Sequence, residues 1–378
     1  MEVVNFIWTN GLSFIFILTV IVFVHEMGHY LIARYNGVRV EVFAIGFGPE
    51  LFGWDSAAGT RWTVCLLPLG GYVKMFGAAG AASTPSGDVR TMTPEEQAVS
   101  FHHKRLGQRT AIVFGGPLAN FVLAVVILAI MFVTVGQRII PADISEVQPD
   151  SAAEAAGMQP GDEIITIEGT VIDRFETLQR IVRESAGVPL GFVVLRDGVD
   201  VELVVTPRLA EVTDRFGNQL RIGQIGVTRS GGTVYVRHEP LTAIWLAADE
   251  TVSLTVATLR VLGQIIAGTR GTDELGGPIR IAQVSAQVAE DGLVTVFWFM
   301  AVLSINLGLI NLFPIPMLDG GHLMFYAYEA IRGKPLGERV QEYGFRIGLA
   351  LVLTLMVFAT WNDLEQLKVV DFVVGLFS

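Results

Sequence analysis

The sequence predicts a polytopic α-helical membrane protein, with four transmembrane helices and an α+β domain inserted between the second and the third. Three observations carry that prediction. The mean hydropathy of the 378-residue chain is +0.52. Only 17% of its residues are charged, against about 25% in ordinary soluble domains. Four apolar segments, at roughly 6–33, 110–136, 293–314 and 344–361, reach the ~20 residues that a helix needs to cross a bilayer. A formal charge of -11 and a pI near 5.1 exclude nucleic acid as a partner, which wants a basic face. Cys65 is the single cysteine, so an intramolecular disulfide and a cysteine metal cluster are excluded as well.

The first apolar segment follows MEVVNFIWTN, which has no basic n-region, and no small-residue cleavage site ends it. It reads as a retained helix. It closes on FVHEMGHYLIARY, which puts His25, Glu26 and His29 where lipid is expected. Each ionisable group there costs about 2.5–3.5 kcal/mol on insertion scales, and a bound metal ion is the candidate compensation. HEMGH is H-E-x-x-H. On a helix its histidines share one face, and the glutamate beside the first can act on a metal-bound water. Counting back from Arg34, Glu26 lies about 12 Å inside the span at 1.5 Å per residue.

Basic residues near the span ends set the expected orientation. Arg34, Arg39, Lys104, Arg105 and Arg109 flank the loop after the first span; Arg332, Lys334 and Arg339 lie between the last two; the tail has Lys368. Both termini are therefore expected outside, these two loops in the cytoplasm, and residues 137–292 on the outer side. In that outer part, ADISEVQPDSAAEAAGMQPGDEIITIEGTVI offers a strand, a short helix capped by Ser151 and closed by Gly157, and a second strand. DRFETLQRIVRESAG is an amphipathic helix with Asp173 as candidate cap, and PLGFVVLRDGVDVELVVTP is a hairpin turning at Asp197-Gly198. This order, and SAAEAAGMQPGDEIITIEG in particular, resembles a PDZ domain of the permuted bacterial type, which implies binding of a peptide or C-terminus by strand addition. Two further short strands are expected in 208–240. Segment 241–269 is apolar at helical spacing but interrupted by Asp249, Glu250 and Arg260. An amphipathic helix at the membrane interface is expected there.

A catalytic zinc wants three protein ligands and a water, so HEMGH needs a partner. His102 and His103 sit in a polar, basic stretch, and His238 falls in the outer domain. NLGLINLFPIPMLDGGH leaves Asp319 and His322. Pro314 and Pro316 break the helix just before Asp319, which stands at the cytoplasmic end of the third span as HEMGH does of the first. A span at 241–269 would put the two on opposite faces, so four spans are expected. His322 is taken as a hydrogen-bonding histidine outside the metal set.

HEMGH, NLFPIPMLDGG, the PDZ-like insert and FGGPLAN together resemble the site-2 protease family, and within it the bacterial RseP-type zinc intramembrane proteases. The resemblance covers essentially the whole chain. It implies one zinc ion per chain on His25, His29 and Asp319, Glu26 as catalytic base, and Asn311 as a residue that holds the substrate strand. RWTVCLLPLGGYVKM (61–75) resembles the family's membrane re-entrant β-hairpin. FGGPLAN (114–120) is expected to line the site through small residues, without chemistry. The expected layout is a first span with HEMGH (1–36), a cytoplasmic-side region with the hairpin (37–108), a second span (109–137), the PDZ-like domain (138–208), short strands and the interfacial helix (209–292), a third span with the LDG motif (293–322), and a cytoplasmic loop, fourth span and tail (323–378). The resemblance implies transmembrane proteins in a bilayer as substrates, among them anti-sigma factors or signal-peptide remnants left by an earlier cut. It implies the bacterial inner (plasma) membrane as location, with the active site towards the cytoplasm.

Overall fold

The computed structural model describes residues 2–79, 84–85, 92–139, 141–172, 175–213, 219–229, 234–269, 271 and 276–366. The chain begins with α1 (Glu2–Tyr35), the strands β1 (Val40–Asp55), β2 (Arg61–Met75), β3 (Ala78–Ala79) and β4 (Thr84–Pro85), then α2 (Pro94–Val99) and α3 (Leu106–Thr134). A strand-rich stretch follows: β5 (Gln137–Ile139), β6 (Ile144–Val147), α4 (Ala152–Ala155), β7 (Glu163–Ile167), β8 (Thr170–Val171), α5 (Phe175–Glu184), β9 (Leu190–Arg196), β10 (Val199–Val205), β11 (Arg208–Thr213), β12 (Gln219–Gln224), β13 (Val227–Arg229) and β14 (Val234–Val236). Then come α6 (Pro240–Ile266), α7 (Pro278–Glu290), α8 (Leu293–Asn311), α9 (Asp319–Arg332) and α10 (Glu338–Gln366). There are two compact units: Met1–Ile130 with Leu241–Ile265 and Thr272–Ser378, and Met131–Pro240 with Ile266–Gly271.

In the first unit four helices are long and apolar enough to cross a membrane, among the described residues: Gly11–Tyr35, Leu106–Thr134, Leu293–Asn311 and Arg339–Glu365. They are the four the sequence predicts. The charged residues of α6 keep it out of this set. Its Ala243, Ala247 and Thr251 form one buried stripe at four-residue spacing, while Leu241, Trp245 and Val252 are exposed. Thr258 Oγ1 of α6 donates to Asn306 Oδ1 of α8 at 3.2 Å.

The antiparallel hairpin β1–β2 folds back on itself: Phe43 of β1 lies opposite both Val73 and Trp62 of β2, and Trp62 lies opposite both Phe43 and Trp54. Its base is core: Val38, Val40, Phe43, Val73 and Met75 join Ala33, Ile112 and Val113 of the neighbouring helices. Phe43 stacks on Trp62 at 4.4 Å and meets the edges of Phe23 and Tyr30 of α1 at 5.6 and 5.7 Å. Such aromatic pairs add about 0.5–1.5 kcal/mol each beyond area burial, so the base is held firmly on α1. Elsewhere the hairpin exposes Phe47, Leu51, Phe52, Trp54, Leu66 and Leu67.

Downstream of α8, Pro314 and Pro316 stop the helix and the chain turns before α9 starts at Asp319. The turn holds Met317 at φ 99°, an uncommon conformation for a side chain of that size. A Cβ on Gly321 would come within 2.4 Å of the Ile315 carbonyl, so only glycine lets α9 fold back against the turn. Arg109 of α3 pairs with Glu329 of α9 and lies over the Tyr326 ring, tying the helix that begins at Asp319 to α3.

The second unit is α+β. Its four-stranded antiparallel sheet has the order β10-β9-β7-β8. The predicted details recur here. Ser151 caps α4, its Oγ accepting from Glu154 N at 3.1 Å, and Gly157 turns the chain at φ 82°. Asp197 and Gly198, both at positive φ, make the β9–β10 turn. Asp173 lies outside the described residues. The described part of 208–240 holds four short strands where two are expected. β11 pairs with β12, but β13 and β14 return to β6 and β5 near the start of the unit. Those pairings join residues about 80–100 positions apart, and short exposed strands carry little periodicity to announce them.

Asp162 is fully buried and receives Arg196 Nε and Nη2 at 2.7 Å each. The Arg196 hydrogen bonds hold its carboxyl below the usual carboxylate range. The ionised form therefore stabilises the fold fully above the ordinary pKa of about 3.9, and that contribution is lost as the pH falls further, through the folded value. Hydrogen exchange of the β7 and β9 amides in the full-length protein, corrected for intrinsic rates, is expected to be flat from pH 7 to 5 and to accelerate below about pH 4. Asp162→Asn, at a cost of about 1.5–3 kcal/mol, should remove that acid dependence. An unchanged acid profile in Asp162→Asn would assign it to another group.

Candidate metal centre

His25 and His29 lie one helical turn apart on α1, so their rings project from one face. Both are buried, at 7% and 9% exposure, and their Nε2 atoms are 3.2 Å apart. Asp319 is the first residue of α9, where the positive end of the helix dipole favours a carboxylate. Its Oδ2 stands 3.2 Å from His25 Nε2 and 3.5 Å from His29 Nε2. The structure therefore brings Asp319 to two histidines that precede it by almost 300 residues, and all three ligand atoms lie within 4.8 Å of one another.

These separations suit a tetrahedral ion. Donors bound at about 2.0 Å around zinc stand about 3.3 Å from each other. The hydrogen bonding points the same way. His29 Nδ1 donates to the Ile112 carbonyl at 2.9 Å. A carbonyl can only accept, so a neutral His29 carries its proton on Nδ1 and turns the lone pair of Nε2 towards His25 and Asp319. A lone pair facing a buried carboxylate oxygen at 3.5 Å calls for a cation between them. Asp319 Oδ2 is buried and has no hydrogen-bond partner among the described residues.

Glu26 is half-buried beside the histidines. Strand β2 passes next to it: a Cβ on Gly71 would sit 3.2 Å from Glu26 Cγ, and the backbone N–H of Val73 reaches the carboxyl. Asn311 ends α8 and is half-buried, with the seven residues of the turn between it and α9. His322 is buried one turn beyond Asp319, with its ring 5.3 Å from Phe345 and 6.4 Å from Phe325. It lies outside the three-residue cluster. His103 Nδ1 is 3.2 Å from Ser100 Oγ, and the His102 ring packs on Phe101. His238 Nε2 is 3.1 Å from Gln137 Oε1 within the α+β unit.

Sequence reasoning missed how much α3 contributes. Ile112, Gly116 and Asn120 form one stripe at four-residue spacing along it. Ile112 supplies the carbonyl for His29. A Cβ on Gly116 would lie 2.3 Å from His29 Nε2 and 2.9 Å from His25 Cε1. Asn120, fully buried, has its amide nitrogen 3.2 Å from His25 Nδ1. Gly28 and Gly115 let the backbones of α1 and α3 meet, since a Cβ on Gly28 would come within 2.2 Å of the Gly115 carbonyl. Pro117 interrupts the ladder of α3 in this turn. The signal was Asn120 in an apolar span, three residues beyond that proline.

A multi-span membrane protein with an H-E-x-x-H helix packed against a distant aspartate is a metallopeptidase by architecture and site. The profile of Peptidase family M50 matches residues 13–355, and the chain belongs to that family, the site-2 protease family. It is a metalloendopeptidase of a multi-pass membrane type. A Rhizobium meliloti protein named "Putative zinc metalloprotease" is 45% identical over 94% of this chain and 96% of its own length. An Agrobacterium fabrum protein of the same description is 44% identical, covering 97% and 98%. The metalloprotease MmpA of Caulobacter vibrioides is 39% identical, covering 97% and 98%.

Proposed function

We propose that this protein is a zinc-dependent intramembrane endopeptidase in which His25, His29 and Asp319 hold one zinc ion per chain and Glu26 is the catalytic base. The observation that carries the reading is the mutual spacing of the three donor atoms, with the His29 tautomer set by Ile112. Zinc supplies Lewis acidity towards a peptide carbonyl and makes water nucleophilic near neutral pH. Glu26 takes the proton of the attacking water and delivers it to the leaving amine. A substrate helix hides its peptide bonds in its own hydrogen bonds, so it must unwind first, and its freed backbone groups then need partners inside the membrane. Asn311 offers a side-chain amide. The Gly71–Met75 part of β2, paired on one side alone among the described residues and adjacent to Glu26, offers an edge to add a strand to.

The exposed apolar residues of the β1–β2 hairpin support its dipping into the membrane from the cytoplasmic side. Helix α6 lies at the interface on its exposed apolar face. Residues 138–208 form a PDZ-like domain on the outer side, binding a peptide or C-terminus and admitting substrates shortened by an earlier protease. The substrates are single-span membrane regulators such as anti-sigma factors, or signal-peptide remnants. The location is the bacterial inner membrane. Asp319→Ala is expected to lose both zinc and cleavage of a transmembrane reporter, whereas His322→Ala costs much less of either. The reverse order, measured by metal analysis and gel-based cleavage on purified protein, would move the third ligand to His322.

A further inference from the structure

We infer that Asn120 is a positioning residue for the metal: its side-chain oxygen accepts from His25 Nδ1–H and so holds His25 with Nε2 presented to the ion. The inference rests on the metal reading of His25, His29 and Asp319 and adds a residue to it.

The two histidines need the same arrangement. A ligating Nε2 must be unprotonated, which puts the ring proton on Nδ1, and that proton needs an acceptor in a buried site. His29 has one in the Ile112 carbonyl, 2.9 Å away. At His25 Nδ1 the polar group is the Asn120 amide, at 3.2 Å. With the amide nitrogen turned to the ring, His25 Nδ1 would have to accept, and Nε2 would carry the proton and lose its lone pair. The same orientation leaves Asn120 Oδ1 buried with no partner among the described residues, a costly state for an amide oxygen. A half-turn of the amide exchanges the two atoms, which the hydrogen-bond network has to assign. It pairs the oxygen, moves the amide nitrogen to the position without a partner, and gives His25 the tautomer that His29 already has; the need for a free Nε2 on His25 decides between the two orientations.

Asn120 is itself well fixed. It is fully buried, its backbone oxygen accepts from Ser304 Oγ of α8 at 2.8 Å, and a Cβ on Gly308 would sit 3.2 Å from its Cβ. One face of α3 thus provides the outer hydrogen bond of both histidines, from Ile112 and Asn120, with Gly116 clearing space between them.

The test uses full-length purified protein. Zinc affinity is measured by chelator competition for wild type, Asn120→Leu, Asn120→Asp and His25→Ala, together with the ligand-field spectrum after cobalt substitution. Thermal unfolding of each zinc-free protein serves as the folding control. Asn120→Leu keeps the volume but removes the acceptor, and should weaken zinc binding about 10–100-fold and alter the cobalt bands. Asn120→Asp keeps an acceptor and should restore both. Wild-type affinity in Asn120→Leu, or a loss in Asn120→Asp as large as in Asn120→Leu, overturns the inference while leaving the metal centre standing. Zinc binding by wild type no tighter than by His25→Ala overturns the inference and the metal reading together.

Discussion

Glu26→Gln is expected to retain about one zinc per chain and to lose about 10²–10⁴-fold in cleavage rate. The substitution is nearly isosteric, so the packing of α1 against the hairpin base at Gly71 and Val73 survives. It removes no donor from the His25–His29–Asp319 cluster. What it removes is the group that can take a proton beside the ion. Metal analysis and single-turnover cleavage of a transmembrane reporter, on the same preparation, separate the two effects. Cleavage within tenfold of wild type would exclude Glu26 as the base. Loss of zinc with loss of activity would instead make Glu26 part of the metal shell. The same pair of proteins, compared by proteomics of membrane fragments in cells, is also the most direct route to the natural substrates.

The second large effect is expected from a single methyl group. Gly116→Ala places a Cβ 2.3 Å from His29 Nε2 and 2.9 Å from His25 Cε1, separations that real Cβ atoms do not tolerate. Either the rings turn away or α3 moves off α1, and the second gives up the close packing of Gly28 on Gly115. Zinc affinity should fall by at least the 10–100-fold typical of disturbed ligand support, and cleavage should fall with it. Gly107→Ala is the control on the same helix, because a Cβ there meets nothing within 4 Å. It should leave zinc binding and cleavage as in wild type. If Gly116→Ala binds zinc like wild type, α3 packs over the histidines loosely enough to admit a methyl group, and the expectation fails.

Several features were legible from local pattern. The four spans follow from length and composition, the break before Asp319 from Pro314 and Pro316, and the β9–β10 turn from Asp197-Gly198. Each depends on residues within a few positions of one another. The strands beyond residue 208 were not legible in the same way, because β13 and β14 find partners only across the whole unit. Helix α9 runs from Asp319 to Arg332 and so crosses the expected boundary at 322, since its amphipathic turn begins directly after the loop.

By itself the sequence determined a membrane protein with a metallopeptidase motif, since span length, charge depletion and the i, i+4 spacing of HEMGH are properties of contiguous residues. Tertiary structure decided which side chains share the site. Asp319 was preferred to His322 from motif and resemblance alone; the physical ground for the choice came with α9, which has Asp319 at its first position facing both Nε2 atoms and His322 turned towards Phe345. FGGPLAN was expected to contribute small residues alone, and the fold turned Gly116 and Asn120 onto the histidines. The physical reason is the helix itself. A span that is apolar all round has no stripe to say which face looks inward, so its rotation is set by packing, and here by the contact of Gly28 with Gly115.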